Sequence, residues 1–360
     1  MQPITGIVLG VALGWLFSKN MDSKMPAVQK YFEDFHANIK LDNDDEKAKL
    51  RDKRDTLLRA LKANLDDDVP EFVSFNQGSY SMHTGVLPLD GNYDIDVGLI
   101  FDCKRDKYPD PVVLKKKVRD ALDTHGRTLD IRRLCVTVNY MCDDEVDYHV
   151  DLAIYANRDD GLLDIAKGKE NSASDKRVWE PSDPKELTSV ICDAFSDDAE
   201  LAQYRRSIRY LKRWRNVQFT NGGAPLSIAL TVAAKSWFKP YFEISGKPGD
   251  LIAMMDWVKA MLAQFQWDST DEGLHERLKV VLPVTPYTDV MAGMTKTQMA
   301  AFKEKLEGLR DALSDAYDED LPEDACKLLN RQFGDDFKVP EKQETAKAAR
   351  APFISTGNSA

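Results

Sequence analysis

Two aspartates two residues apart, Asp94 and Asp96, open the run DIDVGLIF. On a β-strand that spacing sends both carboxylates to one face, while Ile95, Val97 and Leu99 point the other way, into a core. A third aspartate, Asp151, stands between Val150 and Leu152 in a later strand-like run, where sheet pairing can set it beside the first two. Three ionised carboxylates in one place repel, since two unit charges about 4 Å apart cost roughly 4 kcal/mol at an effective dielectric of about 20. A divalent cation removes that penalty, and an all-oxygen ligand set suits Mg²⁺, with Mn²⁺ as a substitute. A DxD pair on its own is common at strand ends, and it also marks the metal sites of glycosyltransferases, so the pair needs a companion before it carries a function.

That companion is Gly78-Ser79. It follows a strand-like segment and precedes a short stretch suited to helix, Tyr80 to Thr84. Glycine lets the backbone approach a phosphate, serine adds a hydroxyl donor, and a helix start favours anions. Most Gly-Ser pairs are plain turns. What is specific here is the order: strand, Gly-Ser, 14 residues, Asp-Ile-Asp on a strand, then a third aspartate on another strand.

The elements that must position these groups are legible in outline. Pro26 to Leu41 and Asp44 to Leu65 read as helices, the second with Leu50, Leu57, Leu58, Leu61 and Leu65 at helical spacing. A strand is expected around Phe72 to Phe75, another over Asp94 to Phe101, a helix over Pro111 to His125 ended by Gly126, and strands through Leu134–Tyr140 and Val146–Tyr155. Residues 157 to 184 are polar and turn-rich. Beyond them the pattern is helical: Pro184–Phe195, Asp198–Phe219, Pro225–Phe238, Asp250–Gln266 and Thr295–Tyr317. The expected architecture is α+β and bilobed, a mixed sheet with helices followed by a C-terminal helical domain, with a cleft between the lobes.

In sequence order, QGSY (Gln77–Tyr80), DIDVGL (Asp94–Leu99) and HVDLAIYA (His149–Ala156) resemble the core of the polymerase β-type nucleotidyltransferase superfamily. More narrowly they are similar to the bacterial cGAS/DncV-like nucleotidyltransferases, the CD-NTases. WEPSDP (Trp179–Pro184), RYLKRWRN (Arg209–Asn216) and GGAPLSIAL (Gly222–Leu230) resemble its dinucleotide cyclase branch, so the likeness covers discrete motifs between residues 70 and 230. The resemblance implies a nucleotidyltransferase core over 25–183 that includes the N-terminal helices, a helical domain over 184–338, a flexible tail over 339–360 and an extension of uncertain origin over 1–24.

The resemblance further implies two-metal joining of ATP and/or GTP with release of pyrophosphate, giving a cyclic dinucleotide such as cyclic GMP-AMP. Asp94, Asp96 and Asp151 would be the catalytic metal ligands. Gln77, Gly78, Ser79, Lys212 and Ser227 would hold the nucleotide, the last two as the family's phosphate-contacting lysine and serine. It also implies a role in antiphage (CBASS) signalling, a separate effector that senses the product, and in some members attachment of the C-terminal residue, here Ala360, by a ubiquitin-transfer-like conjugating enzyme. A tail without such a role explains the same residues. The rivals are a linear oligoadenylate synthetase, a tRNA nucleotide-adding enzyme, a non-catalytic nucleotide-binding protein, and a DxD glycosyltransferase, which has no use for the Gly-Ser turn.

Periodicity alone reads the second lobe more plainly. Arg205, Arg209 and Lys212 share one face of their helix, which suits a solvated basic surface as well as a phosphate contact. Ser182 and Asp183 before Pro184 suit a helix N-cap. His149 is more ordinary as a hydrogen-bonded strand residue than as a ligand, and Trp214, Trp237 and Trp257 fit helical core positions.

Composition sets the remaining bounds. The net charge of −11 argues against gripping a nucleic-acid backbone, which requires neutralising several phosphates. Five cysteines, none in CxxC spacing, point to free thiols in a cytoplasmic protein rather than to zinc or disulfides. The apolar run Ile4–Phe17 is too short to span a bilayer, and no basic residue precedes it, so stable membrane insertion is not expected.

Overall fold

The computed structural model describes residues 27–341 apart from 42–43, 90, 92, 124–126 and 143–144. The N-terminal apolar run, the start of the first helix at Pro26, the stop at Gly126 and the tail with Ala360 lie outside the described residues. The elements follow in the order α1 (Gln29–Ile39), α2 (Asp44–Asn64), β1 (Phe72–Asn76), α3 (Gly78–Ser81), β2 (Tyr93–Phe101), α4 (Pro111–Leu122), β3 (Arg127–Ile131), β4 (Cys135–Cys142), β5 (Glu145–Asn157), β6 (Leu163–Lys167) and β7 (Val178–Ser182). Then come α5 (Pro184–Cys192), α6 (Asp198–Gln218), α7 (Ser227–Trp237), α8 (Asp250–Leu262), β8 (Gln266–Thr270), β9 (Gly273–Arg277), α9 (Lys296–Asp318) and α10 (Pro322–Phe333). The architecture is the expected α+β one, with a mixed sheet followed by helices.

The sheet runs β1-β2-β5-β4-β3, with β6 added on β5 and β7 on β6. Only β2 and β5 are parallel to one another; the other pairings are antiparallel. Alternation decides its two faces. Ile95, Val97, Leu99, Val150, Leu152 and Ile154 are fully buried and pack with Leu50, Leu57 and Leu61 of α2 and with Leu114, Val118 and Leu122 of α4. The opposite face carries only a small cluster of Ile100, Ala153 and Tyr155, flanked by Phe75, Leu163 and Ile165. Asp94, Asp96 and Asp151 lie on this same face.

A second, larger core lies among α5 to α10. The helix α1, which falls within the span 25–183 assigned to the first domain, sends Phe32, Phe35 and Ile39 into this core. There Phe35 stacks on Tyr210 at 5.2 Å, and Phe32, Phe333 and Phe337 close the aromatic cluster. Tyr210 donates its hydroxyl to the Phe32 carbonyl at 2.8 Å, so its polar end is satisfied where it is buried. Asp250, also fully buried, takes a forked pair of hydrogen bonds from Arg206 at 2.6 and 2.7 Å and another from Gln203, which locks α8 to α6.

Several elements depart from the sequence-based expectation. The polar stretch after Asn157 contains β6 and β7, short strands whose outward residues pair as Lys167–Glu180. The helix expected to reach Gln266 ends at Leu262, and the residues after it form the β8–β9 hairpin. Asp183 does cap α5, accepting from the Glu186 amide at 3.0 Å with Pro184 in the first turn. Trp214 and Trp257 are buried and Trp237 packs against the same core. The four cysteines with described side chains, Cys103, Cys135, Cys192 and Cys326, are free thiols. No helix among the described residues is long and apolar enough to cross a membrane.

Candidate active site

The parallel pairing of β2 with β5 sets Asp94 opposite His149 and Asp96 opposite Asp151. Because paired residues share a face, all four side chains leave the open side of the sheet together. Ligand atoms of Asp94, His149 and Asp151 lie within 4.8 Å of one another, close enough to share one ion. His149 Nε2 is 3.2 Å from Asp94 Oδ1. Thr137, fully buried on β4, donates its hydroxyl to Asp151 Oδ1 at 2.5 Å and fixes that carboxylate from behind.

Asp96 sits deeper than the exposed Asp94. Burial, then the negative charges of Asp94 and Asp151, push its carboxyl up to about 8. Such a group is held in its charged form only by added positive charge, so the donor set, carboxylates with one imidazole, fits a divalent cation. His149 shows the same field from the other side. Burial opposes its protonation, but the hydrogen bond and charge of Asp94 outweigh that and raise its pKa.

Gly78 closes over this group. Its φ is +69°, in the left-handed region, and a Cβ built there would stand 1.8 Å from Asp96 Oδ2. Both facts demand glycine. The amide of Gln77 donates to the Asp96 carbonyl at 3.1 Å, and Tyr155 donates its hydroxyl to Gln77 Oε1 at 2.9 Å, so the loop is tied to the strands that carry the carboxylates.

Gln77, Gly78, Asp96 and Asp151 line a cavity of about 500 Å³. Its apolar wall includes Met82, Leu187, Ile228 and Leu282, contributed by both lobes, and Arg132 and Arg133 stand exposed at its lip. Cys135 also lines it, but burial pushes its thiol up to about 12, which removes it as a nucleophile.

The remaining candidates lie elsewhere. Ser79 faces a neighbouring cavity on the other side of α3. Ser227 is half-buried in the first turn of α7 and is not among the cavity's lining residues, whereas its neighbour Ile228 is. Lys212, the expected phosphate contact, is engaged within the protein and feels the charge of Asp96. It is buried, and its ammonium donates to the carbonyl and hydroxyl of Thr84 at 3.1 and 3.0 Å. Arg209 likewise donates to the carbonyls of His83 and Gly85, and Arg213 to that of Leu87. These basic residues of α6 are therefore buried rather than solvated, and they clasp the segment that follows α3. The reason is local: residues 83–87 have only one isolated bridge, Val86 with Lys40, as strand pairing, and buried carbonyls need donors.

Sequence reasoning passed over His149, Thr137, Tyr155 and the arginine pair. Only His149 carried a signal, since it stands two residues before Asp151 on the same strand face.

Comparison with known proteins finds likeness in sequence and in fold. Residues 70–155 match a family model described as the nucleotidyltransferase domain of DncV-like cyclic GMP-AMP synthase. A cyclic GMP-AMP synthase of Escherichia albertii is 31% identical over 177 residues, a match that covers 46% of this chain and 36% of that protein. Among solved structures, the Bradyrhizobium diazoefficiens CD-NTase CdnG in complex with GTP aligns over 85% of this chain and 96% of its own, with a TM-score of 0.64 and 16% identity. CdnC of E. coli MS115-1 with ATP aligns over 86% and 98%, with a TM-score of 0.60 and 15% identity. Vibrio cholerae DncV aligns over 79% and 77%, with a TM-score of 0.54 and 22% identity.

Proposed function

We propose that this chain, which carries a DncV-like nucleotidyltransferase domain over residues 70–155, joins ATP and/or GTP with release of pyrophosphate and closes the product into a cyclic dinucleotide. Cyclic GMP-AMP is the product we favour, because the E. albertii relative bears that name. The nucleotides in the CdnG and CdnC structures support the two triphosphates as substrates. In this reading the product is a second messenger in antiphage (CBASS) defence, read by a separate effector.

The observation that carries the proposal is the register of β2 on β5, Asp96 opposite Asp151, beneath a glycine that only a loop pressed against a carboxylate requires. Asp94, Asp96 and Asp151 would hold Mg²⁺ or Mn²⁺, with His149 at the edge of the same group. When bound, the divalent ions supply Lewis acidity, lowering the pKa of the attacking ribose hydroxyl and neutralising the departing pyrophosphate. The chain's own part is placement. Gln77 and Gly78 bound the cavity next to Asp96, where the donor's phosphates would meet the loop. The apolar wall of Met82, Leu187, Ile228 and Leu282 offers a nucleobase a dry surface and excludes water, and Arg132 and Arg133 put positive charge at the entrance. A hydroxyl oxygen, its proton released to water, then forms its bond to the α-phosphorus as the bond to pyrophosphate breaks in line, and positioning with charge neutralisation accounts for most of the rate.

The test is to incubate the protein with all four nucleoside triphosphates and Mg²⁺ or Mn²⁺, digest with phosphatase and take a mass spectrum. A phosphatase-resistant cyclic product from wild type, absent with Asp96→Ala, is expected. Linear products alone, or wild-type turnover by Asp96→Ala, would contradict the reading.

A further inference from the structure

We infer that the second cavity beside the phosphate loop, on the other side of α3, binds a small multivalent oxyanion and thereby acts on that loop. The cavity encloses about 370 Å³ and is lined by residues of α1, α6 and the segment after α3. Among the described residues its charged lining is of one sign: Lys40, Arg205 and Arg209, joined by His36 and His83, with no aspartate or glutamate. In a chain with 60 acidic and 49 basic residues, a partly enclosed site with that lining is not the average surface.

The charges are held in place. Arg209 is anchored by the carbonyls of Gly85 and His83, at 3.1 and 2.5 Å, and its Nη1 stands 3.0 Å from His36 Nε2. Arg205 Nη2 reaches the Cys192 carbonyl at 3.3 Å, but its Nε is buried and has no hydrogen-bond partner. An oxyanion in the cavity offsets the like charges gathered around it. The field is strong enough to act on His36: burial, then Arg209 and Lys40, lower its pKa to about 4.

The cavity is mechanically joined to the carboxylate site. Ser79 and Tyr80 line this side of α3 while Gly78, one residue earlier, packs on Asp96 on the other. An anion held by Arg205 and Lys40 within reach of Ser79 therefore biases the loop geometry that the carboxylates depend on, which is a coupling between two sites. Binding at this cavity stands apart from the proposed reaction; only its effect on turnover rests on that reading.

Calorimetric titration of the full chain in EDTA, with inorganic pyrophosphate and separately with citrate, tests the site and separates phosphate from carboxylate chemistry. Saturable binding of at least one probe is expected, weakened about tenfold or more by Arg205→Gln and by Lys40→Gln and unchanged by Asp96→Asn. Lys40 is a half-exposed side chain, so its variant preserves the test should Arg205→Gln fold poorly. No binding of either probe, or binding that follows Asp96→Asn rather than the basic residues, would overturn the inference. Should binding be as expected while no cyclic product is made, the site stands and the proposed reaction fails.

Discussion

His149 Nε2 lies 3.2 Å from Asp94 Oδ1, across the one parallel strand pair of the sheet. The imidazole orients the most exposed of the three carboxylates, and partners that orient ligating groups typically matter by 10- to 100-fold. His149→Ala is expected to weaken Mn²⁺ binding by about that factor, measured by electron paramagnetic resonance, with a matching fall in kcat. His149→Gln, which keeps a donor near the same place, should recover part of both. Equal Mn²⁺ affinity in wild type and His149→Ala would remove it as a positioning residue.

Gly78→Ala combines a left-handed backbone with a 1.8 Å contact to Asp96. The backbone strain alone costs about 1–3 kcal/mol, and relief of the contact must move the loop or the carboxylate. A lower melting temperature together with lost turnover is expected. Gly91, also at positive φ but with nothing within 4 Å of its built Cβ, serves as the control, and Gly91→Ala should leave turnover intact.

Lys212→Met removes both hydrogen bonds to Thr84 without opening the cleft. Leaving the Thr84 carbonyl without a donor costs about 1–3 kcal/mol of stability. The KM for triphosphate should stay within about threefold of wild type where the bonds to Thr84 are the whole of its role. A large rise in KM at unchanged stability would restore the phosphate-contact role that the motif resemblance implies.

The low pKa of His36 makes a signed prediction. The folded protein holds the ring neutral down to about pH 4, whereas the unfolded chain takes up the proton near the usual value of 6.5. Stability therefore falls as pH drops from 6.5 to 4, by about 1–2 kcal/mol once partial exposure of the ring is allowed for. Denaturant melts of wild type and His36→Gln across that range should converge at low pH. Parallel curves would show that the ring is not the group responsible.

How far the sequence could be read follows from what period and spacing encode. Alternation alone places Asp94 and Asp96 on one face and Ile95, Val97 and Leu99 on the other, and the paired register of two strongly apolar strands then leaves Asp151 little choice of neighbour. Nothing comparable marks β6 and β7, which are short, polar and rich in turn residues. The burial of the basic face of α6 was illegible for a different reason: period tells which residues share a face but not what covers it, and here the carbonyls of residues 83–87 do. His149 was passed over because a strand histidine usually satisfies itself locally, and its value lies in Asp94, 55 positions away in sequence.

Anomalous scattering from Mn²⁺, in crystals grown with a non-hydrolysable nucleoside triphosphate, tests the central claim most directly. The account predicts manganese peaks between the carboxylates of Asp94, Asp96 and Asp151, against the phosphates and beneath Gly78. Nucleotide bound in the cavity with no manganese at those three residues, or manganese bound only elsewhere, would contradict it.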